Sequence, residues 1–255
     1  MEWQELAGNW ALVPRRHVGI IHFLGGAFVA TAPQVTYRRL LEKLSDRGYI
    51  VIATPFVNTL DHRTIAQEVL TSFERTMDRL DRRGALRRRY LPIYGLGHSL
   101  GCKLHLLIGS LFSVERAGNI LIATNNYAFN DAIPMVSQLD LPVEFTPTPR
   151  ETEHIINQSY HVKRNLLVQF TDDTIDQSAA IYKILHRRFA DMVTLRRLRG
   201  NHLTPLGAEL TWQPGTAFSP LDALGQWFNQ VVYQELTQLQ QEILQWLNPL
   251  MVMED

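Results

Sequence analysis

A serine set between two glycines, Gly97-His-Ser-Leu-Gly101, follows a short apolar run and precedes a helical one. That is the strand, sharp turn and helix of a nucleophile elbow, G-x-S-x-G. The glycines let the backbone turn without a Cβ clash, so Ser99 can project its hydroxyl above a sheet edge. The same turn leaves the N–H of Leu100 without a helical partner and free to face an oxyanion. A hydroxyl is a poor nucleophile until a base takes its proton and a third group orients that base. Both partners follow in order. The strand Asn165 to Phe170 runs into Thr171-Asp-Asp-Thr-Ile-Asp176, and the next strand runs into Arg199-Gly-Asn-His-Leu-Thr-Pro205. In parallel sheets, sites form beyond the carboxyl ends of the strands, so Ser99, an aspartate and His202 are expected at one rim. Asp173 is the preferred acid, three residues past its strand. Asp172 is expected to face away and Asp176 to start the following helix. A second oxyanion donor belongs in the loop His22-Phe-Leu-Gly-Gly-Ala-Phe28, where the N–H of Leu24 is preferred and Phe23 is the neighbouring alternative.

Those residues need a scaffold. Short β-branched runs alternate with longer helical patterns, which predicts an α/β fold with a doubly wound, mostly parallel sheet. Strands are expected at Trp10 to Val13, Val18 to Phe23, Tyr49 to Thr54, Leu91 to Gly95, Asn119 to Thr124, Asn165 to Phe170 and Met192 to Leu198. Most are apolar almost throughout, as strands covered on both faces should be. Thr36 to Arg47 sets Tyr37, Leu40, Leu41 and Leu44 on one helical face, with Gly48 as a stop. Thr64 to Arg83 and Ser178 to Phe189 repeat the pattern. Ser219 to Leu247 reads as a long amphipathic helix capped by Ser219, its Leu, Trp and Val stripe facing the core. One segment breaks the rhythm. Residues 125–163 carry Pro134, Pro142, Pro147 and Pro149 and are too long for a simple crossover. They read as a lid-like insertion with a short helix near Arg150 to Ser159. No linker divides the chain, so residues 1–255 are expected to form one domain.

Composition narrows the classes further. Lys plus Arg number 25 against 25 Asp plus Glu, so no net field draws the chain to nucleic acid or an anionic membrane. The single cysteine, Cys102, rules out an internal disulfide and fits a reducing compartment. It reads as a small core residue of the elbow helix, its place in the first helical turn being the one feature that would lower its thiol pKa. The N-terminus lacks the basic-then-apolar order of a signal peptide, and no apolar run approaches the about 18 residues of a membrane span. A cytoplasmic protein is expected. Asp61-His62 has no third ligand at a metal-like spacing and reads as a capping aspartate beside a partly buried histidine. Gly95 to Gly101 is no dinucleotide fingerprint, because its third glycine falls one position late, and Cys102 spoils a Walker loop. Neither metal nor cofactor is expected. His98 reads as a side chain packed at the elbow, and Arg82 to Arg89 as a solvated face.

With these motifs placed, the chain resembles the α/β-hydrolase superfamily, and more narrowly an uncharacterised, domain-of-unknown-function family within it found in cyanobacteria and plastids. The phrases that carry the resemblance are His22 to Phe28, Gly48-Tyr-Ile-Val-Ile-Ala-Thr-Pro55, Asp61-His62, Gly97 to Lys103, Thr124-Asn-Asn-Tyr127, Thr171 to Ser178 and Gly200 to Leu206. It implies a serine-hydrolase triad at Ser99, Asp173 and His202 and supplies no substrate. One departure matters. The usual His-Gly before the oxyanion residue reads His22-Phe23, which sets a side chain where that loop lies close to substrate. The expected function is cofactor-free hydrolysis of a carboxylic ester or thioester. Apolar insertion residues (Ile133, Met135, Val136, Leu139, Leu141, Phe145) point to a small-molecule substrate with a hydrophobic acyl group. Two other classes stay open: a ligand- or protein-binding module without turnover, if Phe23 spoils the oxyanion hole, and another superfamily reaction such as C–C hydrolysis or acyl transfer. Tight binding with no acyl-enzyme marks the first, and product analysis the second.

Overall fold

A computed structural model of the chain describes residues 2–27, 29–86, 90–127, 144–206 and 233–248. Its strands are β1 (Gln4–Leu6), β2 (Asn9–Leu12), β3 (Gly19–Leu24), β4 (Tyr49–Ala53), β5 (Ile93–His98), β6 (Gly118–Ile122), β7 (Asn165–Phe170) and β8 (Val193–Leu198). They form one sheet in the order β1-β2-β4-β3-β5-β6-β7-β8. The pairs β1–β2 and β2–β4 are antiparallel, and every later pair is parallel. The helices are α1 (Pro33–Thr36), α2 (Arg38–Asp46), α3 (His62–Arg82), α4 (Leu100–Leu111), α5 (Pro149–Ser159), α6 (Ser178–Phe189) and α7 (Tyr233–Leu247). Among the described residues no helix is long and apolar enough to cross a membrane.

Period-two alternation explains the two layers. In β3, Ile21 and Phe23 face the core beneath α2 and α7, while Ile20 and Leu24 face the helices on the other side. The first core takes Leu40, Leu41 and Leu44 from α2 and Leu236, Leu239 and Ile243 from α7. The spacing of that last set is the predicted core-facing stripe. On the opposite face α3, α4, α5 and α6 lie side by side. The middle helix α4 is buried from Leu100 to Gly109, which its nearly all-apolar sequence requires.

Boundaries moved where side chains intervened. The sequence gives no sign of β1, whose three residues are too few for an alternation to register. β5 runs on through Gly95 to His98, because a Cβ at Gly95 would stand 2.3 Å from Asn119 Oδ1. That glycine makes room for a neighbour and ends nothing. α3 starts two residues early, since Asp61 accepts hydrogen bonds from the N–H groups of Arg63 and Thr64. α5 is opened by a reciprocal capping box between Thr148 and Glu151. It packs between α4 and α6 with Ile156 wholly buried, so this part of the expected lid belongs to the helical layer. The rest of the lid (128–143), the first part of the predicted tail helix and residues 87–89 lie outside the described residues.

The central strands should carry most of the stability. Leu121→Ala, in the wholly buried β6, should lose about 2–5 kcal/mol in urea denaturation, against under about 0.5 for Leu111→Ala at the exposed end of α4. Equal losses would place the core elsewhere.

Candidate active site

Each candidate side chain leaves the carboxyl end of a strand. Ser99 follows β5 with φ +55° and ψ −119°, and α4 begins at the next residue. A residue with a Cβ is strained there. Its neighbours hold it in place. The Ser99 N–H donates to the Ile122 carbonyl at 3.0 Å, and the Ser99 carbonyl accepts from Cys102 N–H at 3.0 Å. The turn is tight enough that a Cβ on Gly97 would lie 2.6 Å from the Cys102 nitrogen. One on Gly101 would lie 2.0 Å from the Leu24 carbonyl oxygen. Both motif glycines supply space.

Beyond β7 the chain is pinned to the neighbouring strand by Thr171 N–H on the Leu198 carbonyl and Asp172 N–H on the Gly200 carbonyl, each at 2.9 Å. Asp172 is exposed. Asp173 turns back, with Oδ1 accepting from Ile175 N–H at 3.0 Å and Oδ2 lying 2.7 Å from His202 Nδ1. His202 Nε2 lies 3.0 Å from Ser99 Oγ. Because Nδ1–H donates to the carboxylate, Nε2 is left as an acceptor and the serine hydroxyl donates to it. The Asp173 side chain is closed to solvent and that of His202 is 11 % exposed. Asp176 is engaged elsewhere. Its Oδ1 accepts from Ser178 N–H at 2.7 Å as α6 opens, and burial pushes its carboxyl above the usual range.

A second chain of hydrogen bonds runs behind the serine. His98 Nε2–H donates to the carbonyl of His202 at 2.8 Å, which leaves Nδ1 to accept from the Tyr37 hydroxyl at 2.7 Å. The Tyr37 oxygen in turn accepts from Gly26 N–H at 2.8 Å. All three side chains or groups are buried, and burial pushes His98 far below the ordinary histidine range. His98 therefore does more than pack: it ties the backbone of His202 to the glycine loop.

That loop is arranged differently from expectation. Leu24 ends β3 in register with Gly97 and is wholly buried outside the cavity wall. Phe23 is also core, its ring edge-on to Tyr37 at 4.6 Å, so no side chain from it stands in the cavity. The residues that line the cavity are Gly26 and Ala27, two and three positions further on. The donor expected at Leu24 is therefore not brought to the cavity wall, because the strand continues one pair further than the motif implies.

Ser99, Leu100 and His202 open onto a cavity of about 490 Å3 walled largely by Val29, Leu60, Phe145, Leu203 and Leu206. Polar side chains interrupt the wall, Lys103 and His62 among them. Lys103 stands one turn along α4 from Ser99, and burial pulls its ammonium down to about 7. His62 stacks on Phe145 at 4.4 Å with Nε2 3.2 Å from Asn58 Oδ1, and burial, then the Lys103 charge, hold its pKa near 3. Asp61 beside it is the cap of α3. Among the described residues no three His, Cys, Asp or Glu side chains gather as a metal site. Cys102 is the core residue expected. It is fully buried with its thiol donating to the Ile122 carbonyl, and burial pushes the thiol up, outweighing its helical position. Lys103 left one legible trace, a lone charge in the apolar run Leu100 to Leu111. The pairing of Tyr37 with His98 left none.

Strand order, parallel register and helices on both faces define the α/β-hydrolase fold. Structures that share it include a soluble variant of monoglyceride lipase from Saccharomyces cerevisiae in complex with a substrate analogue, at 12% identity, TM-score 0.60, covering 97% of this chain and 94% of that one. A carboxyl esterase 2 of Tuber melanosporum aligns at 15% identity, TM-score 0.54, with 88% and 82% covered. A fluorophosphonate-binding serine hydrolase of Staphylococcus aureus aligns at 11% identity, TM-score 0.54, with 76% and 85% covered. No curated protein matches by sequence. Residues 2–249 match the family described as protein of unknown function (DUF1350), and the chain belongs to that family.

The elbow strain can be weighed directly. Ser99→Gly and Ser99→Ala both remove the hydroxyl, yet only glycine relaxes at φ +55°. Ser99→Gly should be the more stable by about 1–3 kcal/mol in urea denaturation. Equal stabilities would mean the turn holds no strain.

Proposed function

We propose that this protein is a cofactor-free serine hydrolase of a carboxylic ester or thioester with a hydrophobic acyl group. The observation that carries the reading is one line of hydrogen bonds, Asp173 to His202 to Ser99, ending at an apolar cavity. Ser99 Oγ attacks the carbonyl carbon while His202 Nε2 takes its proton, and Asp173 holds the Nδ1–H and balances the imidazolium charge. The carbonyl oxygen becomes an oxyanion, received by the N–H of Leu100 at the first position of α4. The second donor is assigned to Ala27, since Gly26 already gives its N–H to Tyr37. Collapse breaks the bond from the carbonyl carbon to the leaving oxygen or sulfur, and His202 returns the proton to that atom. Water, deprotonated by the same histidine, then releases the acyl group as the acid and restores Ser99.

Two further observations support turnover over a binding module. Phe23 lies in the core, so it does not crowd the oxyanion position. Proteins of this fold carry the printed names lipase, esterase and serine hydrolase. On p-nitrophenyl esters, Ser99→Ala, His202→Ala and Asp173→Asn should each lower kcat by at least about a thousandfold with the fold intact. Asp176→Asn should lower it by less than about tenfold, because that carboxylate accepts its hydrogen bond from the start of α6, while Asp173 is the one bonded to the histidine. Each buried methylene is worth about 0.8 kcal/mol, so kcat/KM should climb roughly tenfold for every two carbons of acyl chain until the cavity fills. Wild-type turnover in Ser99→Ala would end the proposal, and a flat chain-length profile would remove the hydrophobic acyl group.

A further inference from the structure

Lys103 is the one buried charge-bearing group of the cavity that the proposed reaction leaves without a task. It is 1% exposed and lines the same cavity as Ser99. Its ammonium has three donors, and among the described residues one is used, on the Pro147 carbonyl at 2.9 Å. The Phe145 ring centroid is 6.0 Å away. Among the described residues no carboxylate lies within ion-pair distance of it. The nearest acid to influence it, Glu151, is exposed, and its carboxylate is taken by the N–H and hydroxyl of Thr148 at 2.9 and 3.2 Å. A cation withdrawn from water costs several kcal/mol unless an anion meets it. Tying α4 to the turn before α5 needs only a neutral donor, which a lysine supplies at the expense of that burial. An anion bound in the cavity would give that ammonium a partner.

We infer that Lys103 forms a subsite for a carboxylate carried by the substrate, so that the preferred ester or thioester is the half-ester of a dicarboxylic acid or an equivalent with one remote negative charge. The inference deepens the hydrolase reading above and rests on it. A single ammonium balances a single charge, which favours a carboxylate over a phosphate dianion. Ser99 and Lys103 line one cavity, so a bound carboxylate and the carbonyl that Ser99 attacks share it. The apolar residues of the same cavity suit a methylene spacer. Loss of the ammonium's free state on binding is the physical source of selectivity: a neutral diester leaves the buried donors unmet, and a half-ester meets them.

Binding can be measured without turnover. The Ser99→Ala chain is titrated by calorimetry with monomethyl and dimethyl esters of succinate, glutarate, adipate and suberate. For the best spacer, the half-ester should bind at least about tenfold tighter than its diester. Adding Lys103→Met should cut that preference to under about twofold while leaving the diester affinity nearly unchanged. Lys103→Gln serves as a second neutral replacement, with circular dichroism to establish that the variant read is folded. No preference at any spacer length, or a preference that survives the folded neutral variant, overturns the subsite. Wild-type turnover of the same esters separates the two readings. Turnover without half-ester preference removes the subsite and leaves the hydrolase. Half-ester preference in Ser99→Ala with no wild-type turnover supports the subsite and removes the hydrolase.

Discussion

The backbone of Ser99 is the constraint on which the rest depends. A positive φ at a residue with a Cβ is unfavourable, and it persists only where surrounding structure over-determines it. Here β6 grips the serine N–H, the first turn of α4 grips its carbonyl, and Gly101 lies so near the Leu24 carbonyl that no side chain fits between. The three contacts come from three elements. The parallel sheet is what brings them together, and its order places the ends of β3, β5, β7 and β8 on one rim. A strained serine at that rim presents its oxygen above the sheet and points the first N–H of α4 into the same space.

The polar groups around it are linked, not scattered. Asp173 fixes which nitrogen of His202 carries the proton, and that choice makes the Ser99 hydroxyl a donor to the other. His98 holds the His202 carbonyl from behind, and through Tyr37 reaches the amide of Gly26. His202 and the glycine loop are thereby held to one another across the elbow. Buried networks of this sort are worth keeping only when every member is satisfied. This one meets that condition along its length among the described residues.

Much of this was legible in the chain. Ser99, Asp173 and His202 stand out because each follows an apolar strand, and a strand's carboxyl end is where such a sheet gathers side chains. The core stripe of α7 and the cap at Asp61 were equally plain, since periodicity and capping are local signals. What failed was whatever depended on depth. The strand β5 was cut short because glycines read as turn residues, when Gly95 makes room for Asn119 and Gly97 for the elbow. The oxyanion donor was placed at Leu24 because the motif gives no count of how far β3 continues before its loop. Lys103 and the Tyr37–His98 pair needed the tertiary fold, because neither spacing nor residue type announces a partner sixty residues away.

Covalent labelling by a fluorophosphonate probe, read by intact mass, tests most directly whether Ser99 is an activated nucleophile. The wild-type chain should gain one probe mass within minutes, and Ser99→Ala and His202→Ala should stay unlabelled while folded. A folded wild type that remains unlabelled, or a Ser99→Ala variant that labels as readily, would contradict it.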